Sequence, residues 1–145
     1  MIGPDGLALI REFEGLELKA YPDPATGGAP WTIGYGHTKG VREGDTCTPE
    51  EADEWLLEDV AEAETCIENC VDVELTQGEY DALCSFIFNL GCRTFRNSSV
   101  LRYLNQGNRK MAVEYILKYD KAAGRQMDGL TRRRKAEAEL FERGA

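Results

Sequence analysis

The chain has 145 residues, of which 42% are hydrophobic and 30% charged, and its formal charge is −9. That length holds one domain with a real core, and the composition excludes a disordered chain and a membrane span, since no apolar run approaches the ~18 residues a span requires. Charge is uneven, with 4 basic and 17 acidic residues up to Asp72 and 13 and 9 after it, so the halves carry −13 and +4; this argues against a nucleic-acid footprint over the whole surface.

The opening residues carry no basic segment, and Leu7 to Ile10 is too short for a signal core, so no secretion signal is expected. Leu7, Ile10, Phe13 and Leu16 or Leu18 recur at helical spacing. With Asp5 as the expected N-cap and Gly15 as the stop, Glu14 falls at the end of a first helix. From Glu17 to about Asp45, short apolar pieces are broken by prolines and glycines, which predicts a small antiparallel sheet of two or three strands with tight turns. Thr48-Pro49-Glu50-Glu51 is a capping box with proline at the first helical position, and Ala52, Trp55, Leu56, Val60, Ala63 and Ile67 carry a long amphipathic helix onward. A second capping box, Thr76-Gln77-Gly78-Glu79, opens the most apolar segment, Tyr80 to Leu90, predicted as the central core helix with Gly91 as its stop. Further helices are predicted from about Ser99 to Gln106, from Arg109 to about Tyr119 and from about Leu130 to Glu142. Together these give a single α+β domain: a β-lobe over about 15–46, a connecting helix over 48–69, and a helical lobe made of 75–145 plus the N-terminal helix, with a binding site expected in a cleft.

The five cysteines, at 47, 66, 70, 84 and 92, include no CxxC pair, and with a single histidine a zinc site is disfavoured. Cys47 and Cys66 flank most of one helix, roughly 28 Å apart at ~1.5 Å per residue, out of reach of each other. Cys66 and Cys70 lie one turn apart on one face, so either can approach Cys92. A Cys70–Cys92 bridge and five free thiols both remain open, and Cys84 reads as a small core residue. The run Arg132-Arg133-Arg134-Lys135 is either a local anion patch or a solvated helical face.

Cleavage of a glycosidic bond requires one carboxyl group that stays protonated to donate to the leaving oxygen and a second that activates water or attacks the sugar. Glu14, ending an apolar helix, suits the first role. Asp23, in a turn between two prolines, should stay ionised, and Thr32 adds a neutral hydroxyl that can hold a water. On spacing alone, the same residues read first as a helix end and turn formers.

The stretches REFEGLELKAYPD and TIGYGHT closely resemble the phage-type lysozymes, the endolysins of tailed bacteriophages in glycoside hydrolase family 24. LTQGEYDALCSFIFNLG at 75–91, NSSVLRYLNQG at 97–107 and GLTRRRKAEAELF at 129–141 resemble the family's helical lobe in the same order, so the likeness covers nearly the whole chain. It implies a lysozyme-like fold and a muramidase that hydrolyses the β-1,4 bond between N-acetylmuramic acid and N-acetylglucosamine in peptidoglycan, with inversion and for host lysis. Glu14 then matches the general acid, and Asp23 and Thr32 the pair that positions the attacking water. One departure is PATGGAPW, a Gly-Pro-rich insertion between Asp23 and Thr32 that should lengthen the turn without moving its ends, since loop closure costs only ~0.6 kcal/mol per doubling of length.

The resemblance also pairs His37 with Asp59 as a structural ion pair, brings Arg133 towards the general acid, and makes Asn89 a groove-lining amide. Tyr35 and the backbone of Gly34 and Gly36 are expected to border the groove, because glycine permits close approach of a ligand. No metal or cofactor is implied. The partner is the peptidoglycan glycan strand, with no nucleic acid and no stable membrane insertion; the chain is expected to be a monomer made in the host cytoplasm and released to the periplasm by a separate holin-like protein. Because the chain is acidic, the basic last helix, with Arg132 and Arg134, is expected to face the acidic polymer. A lytic transglycosylase or chitinase, and a non-catalytic wall-binding module, are the alternatives.

Overall fold

The computed structural model describes residues 1–122 and 124–144. Seven helices and four short strands run in the order α1 (Pro4–Glu14), β1 (Glu17–Tyr21), β2 (Thr32–Gly34), α2 (Pro49–Cys70), α3 (Gln77–Leu90), α4 (Cys92–Arg96), α5 (Ser99–Asn105), α6 (Arg109–Ile116), β3 (Lys121–Ala122), β4 (Arg125–Gln126) and α7 (Asp128–Arg143) among the described residues. The chain forms two compact units, one of Ile10–Ala61 and one of Met1–Leu9 with Glu62–Ala145, whose boundaries fall inside α1 and α2. No helix among the described residues is long and apolar enough to cross a membrane.

In the unit Ile10–Ala61, β1 pairs antiparallel with β2, setting Glu17 opposite Gly34 and Tyr21 opposite Thr32 with an irregular register between. A third strand does not form: Thr46 meets Lys19 only as an isolated bridge. Gly15, at φ 72°, ends α1 as its residue type predicts, donating its N–H to the Arg11 carbonyl. The helix nonetheless begins at Pro4, leaving Asp5 inside its first turn rather than at the N-cap. The Thr48 capping box is formed in full, with Thr48 N–H on Glu51 Oε1 and Glu51 N–H on Thr48 Oγ. Ile10, Ala20, Ile33, Ala52, Leu56 and Val60 are buried in this unit.

The second unit is built on α3, whose capping box joins Thr76 and Glu79 reciprocally and whose Ala82, Leu83, Cys84 and Phe86 are fully buried. Phe86 meets Phe95 and Tyr119 edge-on, the arrangement aromatic quadrupoles favour. Helix α7 packs on α3 and α6. It does so closely at Gly78, where a methyl group would stand 2.5 Å from the Leu140 carbonyl oxygen. The five-residue α4 and the β3–β4 hairpin are additions to the sequence reading, being too short for any period to register.

The disulfide joins Cys66, not Cys70, to Cys92, with Cα atoms 5.9 Å apart. Gly91 turns the chain at φ 91° and starts α4 at once, which brings Cys92 to the upper of the two thiols on α2. Cys70, one turn further on, is a free thiol whose carbonyl accepts from the Asn105 amide.

Candidate active site

Glu14 is the last residue of α1 and is half-buried. A side chain at Gly36, which adopts φ 74°, would place its Cβ 2.5 Å from Glu14 Oε1; only a glycine lets the backbone come this near the carboxylate. The double bridge between Ile33 and His37, each N–H donating to the other's carbonyl at 2.9 Å, forms the turn that carries Gly36 there.

Tyr21 also belongs to this group. Cross-strand pairing sets it opposite Thr32. Burial pushes its phenol up, the carboxylates of Glu14 and Glu17 push it further, and a side-chain hydrogen bond with Thr32 draws it partly back. Strand pairing thus sets Tyr21 beside Thr32, and the Glu14 carboxylate is near enough to act on the phenol. Tyr21 was not singled out from sequence, although its place before Pro22-Asp23 at a strand end was a usable signal.

Asp23 sits in a self-closing turn: its Oδ1 accepts the Ala25 N–H at 2.8 Å, its carbonyl accepts from Thr26 and Gly27, and its N–H donates to the Gly28 carbonyl. The residues Pro24 to Gly28 therefore fold back on Asp23 and fix its backbone, as an Asx turn does. Tyr35 lies under the Arg11 guanidinium, 5.8 Å from ring centroid to Cζ, and Arg11 also bridges Asp53 at 3.0 Å.

Gly34 is buried, and its bare face is taken up by α2, where an added Cβ would stand 3.2 Å from the Ala52 side chain. Its lack of a side chain serves helix packing. His37 Nδ1 lies 2.8 Å from Asp59 Oδ2, and the imidazole stacks on Trp55 with centroids 4.7 Å apart, which ties the turn after β2 to α2.

In the second unit, Arg133 and Arg134 are buried, 4% and 0% exposed, which rules out Arg134 as a polymer-facing charge. They surround Glu137, also fully buried. Arg133 Nε donates to Ser85 Oγ and to Glu137 Oε2, and Arg134 Nη2 donates to Glu137 Oε2 and, at 2.7 Å, to Asn89 Oδ1. Burial pushes the Glu137 carboxyl up, while Arg134, Ser85 and Arg133 pull it down. Asn89 is thus held by Arg134, and Arg133 by Ser85 and Glu137, in one buried polar network. Residues three and four apart on one face of α7 carry it, a spacing that the basic run alone concealed.

A family model described as phage lysozyme matches residues 11–137. The chain is 42% identical over 145 residues to an endolysin of Acyrthosiphon pisum secondary endosymbiont phage 1, covering 97% of both chains. Among solved structures, it is similar to the muramidase domain of SpmX from Asticaccaulis excentricus, at 39% identity and a TM-score of 0.90, covering 97% of each chain. It is also similar to a P22 lysozyme variant, at 41% identity and a TM-score of 0.86, covering 98% of each. The lysozyme-like α+β architecture and the sequence together place this chain in the phage lysozyme family.

Proposed function

We propose that this chain is a peptidoglycan muramidase that hydrolyses the β-1,4 bond between N-acetylmuramic acid and N-acetylglucosamine. The observation that carries the reading is the placement of Glu14, held at the end of α1 beside the Gly36 backbone and close to Tyr21, which bonds Thr32. Glu14 gives its proton to the glycosidic oxygen as the bond to the anomeric carbon breaks. A water held by Thr32 attacks that carbon from the opposite face and passes its proton to Asp23, so the product anomer is inverted. Asp23 suits the base role because its turn uses Oδ1 for structure and fixes the carboxylate's direction.

Tyr35 and Asn89 are read as substrate-side residues and Arg133 as a positioning residue behind them, Asn89 and Arg133 being held by the network around Glu137. The enzyme acts as a monomer on the glycan strand, in the periplasm, after a separate membrane-permeabilising protein has released it from the host cytoplasm. The relatives called endolysins support this setting.

The test compares clearing of permeabilised Gram-negative cells by the parent and Glu14→Gln. Loss of general acid catalysis should slow clearing by about 10²- to 10⁴-fold. Products should carry hydrated reducing ends. Equal clearing by the two proteins, or anhydro-muramoyl ends in the products, would refute the mechanism.

A further inference from the structure

Five cysteines are present, and three of them converge. The sulfurs of Cys66, Cys70 and Cys92 all lie within 4.8 Å of one another, although only Cys66 and Cys92 are bonded. Cys66 is buried, whereas Cys70 and Cys92 are half-exposed, so the cluster has a shielded floor and an open side.

We propose that, once the disulfide is reduced, Cys66, Cys70 and Cys92 bind one soft divalent cation of the Zn²⁺ or Cd²⁺ class through three thiolates. Metal–sulfur bonds of ~2.3 Å set three thiolates around one ion roughly 4 Å apart. On reduction the bonded pair Cys66 and Cys92 opens to that spacing, and Cys70, within 4.8 Å of both, closes by about 1 Å or less.

The frame suits this. Cys66 and Cys70 are one turn apart on α2, so their side chains leave the same face. The end of α2 is pinned, with Asn105 Nδ2 donating to the Cys70 carbonyl at 2.9 Å and the Asp72 N–H donating to Asn105 Oδ1 at 2.8 Å. Thiolate softness selects a d¹⁰ ion over Mg²⁺ or Ca²⁺, and water on the open side completes four-coordination. Cys84, buried in α3, and Cys47, on the other compact unit, lie outside the cluster.

The disulfide and the metal site are alternative states of the same sulfurs. A dithiol opens the bond, giving two electrons and two protons to Cys66 and Cys92 and itself becoming a disulfide. The cation then displaces three thiol protons.

The experiment reduces the full chain with a phosphine under argon and titrates it with Cd²⁺ alone, following thiolate-to-metal ultraviolet absorption and far-ultraviolet circular dichroism. Expected is saturation at one ion per chain, with three thiols protected from alkylation. Cys70→Ser, which keeps the disulfide pair and therefore the oxidised fold, should weaken binding by more than the roughly tenfold that even outer-shell changes produce. Cys47→Ser should bind as the parent does. Equal affinity in Cys70→Ser, equal affinity in the oxidised parent, or helical signal lost on reduction and not restored by Cd²⁺ would each overturn the proposal.

Discussion

Gly36→Ala separates the position of Glu14 from the stability of the fold. The substitution places a methyl group 2.5 Å from Glu14 Oε1, where ordinary contact begins at 3.4 Å, so the carboxylate must retreat by 0.9 Å. Since Oε1 is the far end of a flexible side chain, the carboxylate moves and the backbone holds, for an off-rotamer cost of about 0.5–1.5 kcal/mol. The left-handed φ of 74° adds about 1–2 kcal/mol.

Stability should therefore fall by roughly 1.5–3.5 kcal/mol, while a displacement near 1 Å should slow the reaction by about 10²-fold. Urea unfolding followed by circular dichroism measures the first, and clearing of permeabilised cells in the absence of urea measures the second. Gly40→Ala is the control for strain, with φ 69° and open space around its Cβ. Gly34→Ala is the control for packing, meeting Ala52 rather than Glu14. Both should lose stability and keep their clearing rate. Clearing at the parent rate by Gly36→Ala, or an equal loss in Gly40→Ala, would refute the reasoning.

Asp120 offers a pH test, since hydrogen bonds from Gln126 and then Thr131 hold its carboxyl below the usual carboxylate range against the opposing effect of burial. The folded pKa being the lower one, the stabilisation is complete above the ordinary value of about 4 and is lost as pH falls through the folded value. Melting curves of the parent and Asp120→Asn should thus differ by a constant amount near neutrality and converge in acid; a gap that persists into acid would contradict this. Glu137→Ala leaves two buried guanidinium groups without their carboxylate and should cost about 3–5 kcal/mol in urea unfolding, and a loss below about 1 kcal/mol would show that the network does not support the fold.

What the sequence made legible was local chemistry. Thr48 and Thr76 announced their helices because a capping box is written within four residues, and Gly15 stopped α1 for the same local reason. The choice of Cys66 over Cys70 was not legible, because two thiols one turn apart are equivalent until α4 fixes the position of Cys92. Arg134 read as solvated, since a basic run hides the period that turns it towards Phe86 and Glu137. At the candidate site, Glu14, Asp23 and Thr32 were marked by their residue types and by the resemblance. The closeness of Gly36 to Glu14 depends on a turn 22 residues away in sequence, which no local pattern reports.

The division into two compact units has an optical consequence. The chain has two tryptophans, Trp31 and Trp55, and both belong to the unit Ile10–Ala61. Red-edge-excited emission therefore follows that unit alone, whereas the helical dichroism is dominated by α3 to α7 of the other. One sample thus carries two independent dials for unfolding. If emission and dichroism melt at different temperatures, the two units unfold in separate steps, and the signal that moves first names the unit that goes first.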